Sequence, residues 1–428
     1  MEADRTLKSN RKWAVVIGIG IALSPIHNVW FTDITSINGQ PTLFIPALAT
    51  AAWILATLFF ITKTLVPDES VTWEQITWRY IRDKWGELDK GDKRVFIPLL
   101  VIIGAMGLSG IVASTPTAAV SPLLMGVSVF ALYLASRKLG KDIFLPLAIG
   151  TAVASVGIIV YGIWRPGVAT GGFIFERNFD IATGYISLGA VLFIHKRQWI
   201  LVGLAVLALL FSGAPEAAGV LALMTVVLLA RRDWSRRLVA IATPIVVAIL
   251  VLLATGWGPK LYSYLGMVLD NDPVAHYVAP DGETRTNVSP VEIRILVIRD
   301  ALVNIKPLGE GYNLTEFTVF TVHNVPLIIV QQLGWPGILA GLAWLWVCGY
   351  CLVKTKWKYA WIVLVMLCLP DHYVWDQLLP LWWAIVGVST APDNIKGDLI
   401  FSQRCLTNRQ SYDTIVGSEN HSHNTSPK

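Results

Sequence analysis

The sequence predicts an all-α polytopic membrane protein, and three observations support this fold class. Of the 428 residues, 54% are hydrophobic and only 15% are charged. Apolar runs long enough to cross a bilayer recur along nearly the whole chain. Basic residues gather in every second loop between these runs, as they do in the short cytoplasmic loops of membrane proteins. This composition excludes a water-soluble protein built around a single core.

About twelve transmembrane helices are predicted from these apolar runs. The first run follows Arg5, Lys8, Arg11 and Lys12, and no small-residue cleavage site comes after it, so we interpret it as an uncleaved signal anchor. Ser24-Pro25 interrupts that run. The predicted spans are about 13–31, 43–64, 95–113, 118–136, 142–163, 180–195, 198–213, 215–230, 238–256, 325–353, 358–370 and 376–390.

The charge pattern predicts the orientation of these spans. The basic clusters lie at the N-terminus, at 79–94, at Arg137-Lys138 with Lys141, at Lys196-Arg197, at 231–237 and at 354–358. Because cytoplasmic loops hold the excess of Lys and Arg, both termini are expected in the cytoplasm. The expected organisation is residues 1–256 with nine spans, an outer loop at 257–324, residues 325–390 with three spans, and a disordered cytoplasmic tail at 391–428.

A further helix is expected at about 72–90, on the inner membrane surface. Trp78, Ile81, Trp85 and Leu88 follow helical spacing among charged residues. An amphipathic helix of this kind lies in the plane of the interface. It is expected to anchor and position the bundle.

The outer loop contains the stretch that we expect to carry chemistry. Ser289 and Pro290 are typical of a helix start, and Glu292 is placed to reach back to the cap. Arg294 falls at the edge of the apolar stripe of this helix, where a guanidinium needs an anionic partner. The sequence 306–311, with Gly309 and Gly311, ends the helix, and His323-Asn324 precedes the next apolar run.

Other polar residues give weaker signals. Glu216 lies in the turn between two short spans, where it either pairs with a cation or only complements a helix start. Asp270 and Asp272 are expected to be solvated turn residues rather than metal ligands. The four cysteines lie in or near spans or in the inner tail, so neither a disulfide framework nor a thiolate metal site is indicated.

The sequence resembles the O-antigen ligase and polymerase superfamily of bacterial envelope glycosyltransferases. The family has an Arg that opens an R-[LI]-x-[LV] pattern, a P-L-G-x-G turn, and an H-N-x-x-L-x-x-x-x-E-x-G-x-x-G run. Arg294 to Val297, Pro307 to Gly311, and His323-Asn324 with Leu327, Gly334 and Gly337 match these parts. The chain departs from the pattern at Ile298 (usually Trp), at Gln332 (usually Glu), at 214–216 (usually with an Arg) and at 175–178.

The resemblance implies a GT-C-like fold and a metal-independent transfer of a glycan without a cofactor. The donor is undecaprenyl-diphosphate-linked glycan at the periplasmic face of the bacterial inner membrane. The acceptor is a lipid A-core sugar for a ligase. Arg294 is expected to neutralise the leaving diphosphate, with Arg299 and Arg177 as further candidates. His323 is expected to act as base, supported by Asn324, Gly309 and Gly311, with Glu310 or Glu216 as other possible bases.

Other functions stay open at this point. An O-antigen or exopolysaccharide polymerase uses the same donor but takes another carrier-linked repeat unit as acceptor. A transporter or flippase for lipid-linked sugars would require charged residues within several spans and an internal repeat, and neither is evident. A glycosyltransferase with acidic residues in its first outer loop would need a pair of carboxylates there, but Asp33 stands alone. Nothing in the sequence indicates binding to nucleic acid.

Overall fold

The computed structural model describes the chain over the following residues. They are 2–25, 44–65, 90–112, 116–164, 179–212, 217–218, 220–222, 275–278, 284–288, 298–299, 302–303, 305–309, 324–368, 375 and 378–391. The chain divides into two units, residues 1–390 and residues 391–428. Of the second unit, only Ala391 is described.

The described part of the first unit is helical apart from one hairpin and a few turns. Its long helices are α1 (Glu2–Leu23), α2 (Phe44–Leu65), α3 (Lys90–Ser109), α4 (Pro116–Leu139), α5 (Leu145–Trp164), α6 (Phe179–Lys196), α7 (Trp199–Ser212), α8 (Val325–Lys354), α9 (Lys358–Cys368) and α10 (Leu379–Ser389). Short 3₁₀ helices follow α3 (Gly110–Val112) and α4 (Gly140–Phe144). The predicted interruption at Ser24-Pro25 is the end of α1, where the Ser24 hydroxyl and N–H donate to the carbonyls of Ile21 and Gly20.

An all-helical fold was expected, and the helices account for nearly all of the described residues. Two stretches, Pro122–Trp164 and Val325–Lys354, are long and apolar enough to cross a membrane. Shorter apolar helices cover Leu48–Thr62, Ile181–Lys196, Trp199–Ser212 and Leu379–Ser389. These features fit a membrane protein by length and composition, and the number of about twelve spans stays a prediction.

The hairpin is the part of this fold that the sequence analysis did not foresee. Strands β1 (Ala275–Val278) and β2 (Thr284–Val288) pair antiparallel, with Ala275 opposite Val288 and Val278 opposite Thr284. They lie in the segment 257–324, which was expected to be a partly helical outer loop. The inner-surface helix near 72–90, the span at 238–256, most of the span at 215–230 and most of the site helix after Ser289 lie outside the described residues.

The helices pack as a bundle in which α8 makes its most extensive contact with α3, and α10 with α4. On the other side, α1 packs on α2 and α5, while α6 contacts α5, α7 and α9. The α10–α4 contact is close because Gly387 lies directly over the Tyr133 carbonyl and the Ser136 side chain. Trp383 of α10 meets the Tyr133 ring edge-on at 6.4 Å.

Tryptophan residues join the last three helices. The indole of Trp344 stacks on that of Trp382 with ring centroids 5.2 Å apart. The ring of Trp361 meets Trp382 edge-on at 5.0 Å, and its Nε1–H donates to the Ser389 hydroxyl at 3.2 Å. All three indoles are buried. They tie α8, α9 and α10 together, since aromatic pairs add to the free energy gained by burying their area.

The outward surface of the bundle is unusually apolar. On α8, Trp335, Leu339, Leu342 and Trp346 recur at helical spacing, and each is more than half exposed. Exposed Leu, Ile, Val and Phe side chains also occur on α2, α3, α4 and α5. So many exposed apolar side chains suit a nonpolar solvent or a partner rather than water.

Replacing Trp382 by Ala is expected to destabilise the bundle by about 3–5 kcal/mol, because the change removes both aromatic contacts and leaves a cavity. The matched control is Trp335→Ala, since the Trp335 side chain is 64% exposed. Thermal unfolding of the purified proteins in detergent measures both effects. Equal unfolding temperatures for the two variants would show that the tryptophan cluster does not hold the last helices together.

Candidate functional site

Helix α8 is interrupted close to its start. Gly334 has φ 67° and ψ −143°, outside the helical region, and Pro336 follows two residues later. Pro336 has no N–H to donate to the carbonyl of Gln332, so the helical hydrogen bonds cannot run through this point. A kink with these causes leaves backbone groups that need partners from elsewhere.

The turn at 306–309 supplies such a partner. The Trp335 N–H donates to the Pro307 carbonyl at 3.1 Å. The turn therefore supplies the acceptor for a backbone N–H that lies just after the interruption of the helix. The turn is itself closed by the Gly309 N–H, which donates to the Lys306 carbonyl at 3.2 Å. The P-L-G segment at 307–309 is therefore bound to the kink of α8.

Glycine is required on both sides of this contact. Gly309 has φ 78° and Gly334 has φ 67°, in the left-handed region that favours glycine. A Cβ at Gly334 would overlap the backbone at Gly309, Lys306 and Leu308, and one at Gly309 would overlap the backbone at Gln332 and Gly334. The two glycines thus let the backbones of the turn and the kink meet directly.

A third glycine, Gly337, is required at the same kink for a different reason. A Cβ there would lie about 2.5 Å from the Ile329 carbonyl oxygen and 3.0 Å from the Leu333 Cβ. Real side chains do not approach backbone this closely, so the helical segments before and after Gly334 can only pack with glycine at 337. The G-x-x-G part of the sequence motif has a structural explanation in this kink.

A buried polar contact lies beside the turn. The Trp375 indole Nε1–H donates to Gln332 Oε1 at 2.7 Å, and both side chains are fully buried. The Gln332 backbone lies against Gly309 of the turn. The bond from Trp375 to the Gln332 side chain therefore connects the kink to the segment before α10. Since an unmade hydrogen bond in a buried place costs free energy, the pair fixes the orientation of both side chains.

Asn324 defines where α8 begins. Its backbone is extended, and its Oδ1 accepts a hydrogen bond from the Leu327 N–H at 3.2 Å, which makes it the N-cap. Pro326 occupies the first turn of the helix, where its missing N–H has no cost. The predicted start of this helix after His323-Asn324 agrees with the described residues.

Other predicted site residues are placed only in part. Arg299 is in a helical segment and exposed, while Gly309 is buried in the contact with α8. Arg294, His323, Arg177, Glu310, Gly311 and Glu216 lie outside the described residues. The structure therefore brings Gly309 to the kink, and leaves the proposed roles of Arg294 and His323 as predictions.

Sequence reasoning missed Trp375 and gave Gln332 no role. Gln332 stood out only as a departure from the family pattern, and Trp375 is a single indole in a short loop that carried no signal. The kink itself had a signal, because Gly334 and Pro336 stand close together in an otherwise apolar run. Such residues are common in membrane helices, so their presence alone did not predict an interruption.

Changing Gly334 to Ala is expected to cost at least about 2 kcal/mol, since a side chain in the left-handed region is strained and the Cβ overlaps the turn. Gly349→Ala on the same helix is the control, because nothing lies within 4 Å of its added Cβ. Thermal unfolding compares the two. A Gly334→Ala protein as stable as Gly349→Ala would mean that the turn is not packed against the kink.

The Gln332–Trp375 bond is tested by a double-mutant cycle. Gln332→Leu is expected to destabilise the protein by about 1–3 kcal/mol, because the buried Trp375 N–H loses this acceptor. In a Trp375→Phe background the same change should cost clearly less, since no indole N–H is left to satisfy. Denaturant or thermal unfolding of the four proteins gives the coupling. Additive effects would show that the two side chains do not interact.

No protein-family model matches the chain, and comparison with curated protein sequences finds no match either. The likeness to envelope glycosyltransferases therefore depends on the motif residues themselves. Gly309 of the P-L-G segment and Gly334 of the run that begins at His323 meet in one backbone contact. The geometry gives a physical reason for these residues to occur together in a single chain.

Proposed function

We propose that the chain is a glycan transferase of the bacterial inner membrane, acting as an O-antigen ligase. It moves a polysaccharide from undecaprenyl diphosphate to a sugar of lipid A-core, without a metal. The observation that carries the proposal is the contact between the turn at 306–309 and the kink at Gly334. In the sequence, the turn lies between Arg294 and His323, the two residues to which the resemblance assigns chemistry, and the kink follows His323 within α8.

The apolar outer surface of the bundle supports the membrane placement. Exposed apolar side chains such as Trp335 and Leu339 would face lipid acyl chains, where their exposure costs nothing. In this placement, the loops that hold Lys and Arg face the cytoplasm and the segment 257–324 faces the periplasm. The twelve predicted spans and the cytoplasmic termini belong to the same proposal.

The proposed reaction is a substitution at the anomeric carbon of the donor glycan. The acceptor hydroxyl oxygen forms the new bond to that carbon, and its proton passes to His323. The bond between the anomeric carbon and the diphosphate oxygen breaks, and undecaprenyl diphosphate leaves with the electron pair. Arg294 neutralises the charge that develops on this leaving group, as a guanidinium does bidentately.

Asn324 and the turn have positioning roles in this mechanism. The capping bond of Asn324 fixes the first residue of α8, and His323 precedes it directly in the chain. The turn ends at Gly309, whose backbone packs directly against the backbone of Gln332 and Gly334 in the kink. Precise placement of reacting groups supplies a large part of catalysis, so a rigid support for both ends of the outer segment favours transfer chemistry.

Arg294→Ala and His323→Ala are each expected to lower glycan transfer at least about 100-fold, the usual effect of removing a charge-stabilising group or a general base. Arg294→Lys should recover only part of the rate, since an ammonium cannot bind the diphosphate bidentately. Arg11→Ala, which removes an exposed arginine from α1, is the control. The assay gives purified protein carrier-linked glycan and a lipid A-core acceptor, and measures ligated product and released undecaprenyl diphosphate.

The products also separate the ligase from its alternatives. Longer carrier-linked chains without ligated product would identify a polymerase. Unchanged transfer in both variants would show that the stretch from 289 to 337 is structural. Carrier-linked glycan that crosses a bilayer of vesicles without any new glycosidic bond would identify a transporter.

A further inference from the structure

Helix α3 contains a proline in its interior. Pro98 lies within Lys90–Ser109, and the helix continues through it. A proline has no N–H to donate, and its ring presses against the carbonyl of the residue four positions earlier. That residue is Arg94, in the second turn of the helix. Pro98 therefore cannot donate the hydrogen bond that the Arg94 carbonyl would receive in a regular α-helix.

Trp346 of α8 donates to this same carbonyl. Its indole Nε1–H group donates to the Arg94 carbonyl oxygen with an N–O distance of 3.0 Å, the usual length of such a hydrogen bond. The two residues are 252 positions apart in the sequence, so the bond joins two distant helices. A side-chain donor of a neighbouring helix thus replaces the backbone donor that Pro98 removes. Such replacement is one of the ways in which membrane helices accommodate proline.

The bond lies in a contact that is otherwise formed largely by apolar side chains. Among the described helices, α3 and α8 share the most extensive contact. The buried side chains along α3 include Val95, Leu99, Ile102 and Met106, at helical spacing. Apolar ridges attract without a preferred direction, and packed helices can take up alternative arrangements one turn, or about 5.4 Å, apart. A hydrogen bond tolerates only a narrow range of lengths and angles, so the bond from Trp346 favours one arrangement.

The position of α8 along α3 determines where the kink lies. Trp346 and Gly334 belong to the same helix, about 18 Å apart at 1.5 Å per residue. Asn324, the N-cap, lies at the start of that helix. A shift of α8 by one turn would move the kink and the cap by about 5.4 Å relative to α3. One hydrogen bond towards the end of α8 can therefore set the height of the candidate site at its beginning.

We propose that Trp346 is a positioning residue, whose indole completes the hydrogen bonding of α3 at Pro98 and thereby fixes the register of α8 on α3. In the proposed membrane placement the Trp346 side chain, which is 58% exposed, faces lipid, where water competes less for the carbonyl. The fixed register sets the height of the kink and of the start of α8 at the outer membrane surface. Its effect on catalysis rests on the proposed glycan transfer, whereas the fixed register does not.

A double-mutant cycle on stability tests the bond in the full-length protein. Trp346→Phe is expected to lower the unfolding temperature by about 1–3 °C, because the Arg94 carbonyl then loses its donor. With Pro98→Ala in the same chain, the loss of the indole should cost clearly less, since the alanine N–H can donate to that carbonyl. Thermal unfolding of the wild type, the two single variants and the double variant gives the coupling.

Trp335→Phe is the matched control, because it shortens the other indole of α8 that is more than half exposed. Pro98→Ala should leave the cost of this change unaltered. Additive effects of Trp346→Phe and Pro98→Ala would overturn the proposal. A Trp346→Phe protein that folds only together with Pro98→Ala would support it. Failure of both to fold would overturn it, because the loss of ring size alone would then be responsible.

Glycan transfer separates positioning from stability. Trp346→Phe should lower kcat at least about tenfold with little change in the KM for carrier-linked glycan, since reacting groups are displaced while the donor-binding residues remain. The double variant with Pro98→Ala should regain stability but keep the low kcat, because no bond fixes the register. Recovery of the full rate together with stability would limit Trp346 to a structural role and overturn its positioning role.

The two readouts also keep the register and the reaction apart. If the wild type transfers no glycan, the proposed function fails, and the stability cycle alone decides whether Trp346 and Pro98 are coupled. If the wild type transfers glycan and the cycle is additive, the proposed reaction stands and the role of Trp346 is wrong.

Discussion

The direct backbone contact between Gly309 and Gly334 is the constraint on which the rest of the candidate site depends. A helix interrupted by Gly334 and Pro336 has backbone groups without helical partners, and burying them unpaired would cost free energy. The Pro307 carbonyl accepts from Trp335 and relieves part of that cost. This contact is possible only because neither glycine has a Cβ. The turn and the kink therefore stabilise each other.

The contact also joins the turn at 306–309 to the packed part of the bundle. The Gln332 side chain accepts a hydrogen bond from the indole N–H of Trp375, which precedes α10 in the sequence. Farther along α8, the Trp344 indole stacks on that of Trp382 in α10. Helix α8 lies along α3 over much of its length. A residue held by the kink is thus supported by several helices. Such support is what a reaction centre needs if it acts by positioning and charge rather than by a cofactor.

The sequence predicted the helices well where the apolar runs were long and their ends carried clear signals. The apolar run expected at 325–353 forms α8. Asn324 is its N-cap, as expected of a polar residue that directly precedes an apolar run. The start of α9 at Lys358 and the end of α6 at Lys196 agree closely with the spans at 358–370 and 180–195 that the apolar runs predicted. Local composition determines these boundaries, so a single sequence is sufficient to locate them.

The contacts between distant segments could not be predicted in this way. Trp375 and Gln332 are 43 residues apart, and the stacked indoles of Trp344 and Trp382 belong to different helices. Pairing of this kind depends on which helices pack together, which a hydrophobic period does not determine. The hairpin at 275–288 was missed for a similar reason, because its strands are short and lie in a polar loop.

The identity of residue 332 bears on where the proposed acid–base chemistry takes place. Its side chain is fully buried and accepts a hydrogen bond from a neutral indole. A carboxylate here would lose its hydration and would need a cation or a proton to offset that cost, whereas an amide is satisfied by hydrogen bonds alone. An amide does not take up a proton at physiological pH, so Gln332 cannot be the general base. The proposed reaction therefore assigns the proton to a residue outside the kink, and His323, which precedes Asn324 in the sequence, is of the residue type whose charge changes near neutral pH.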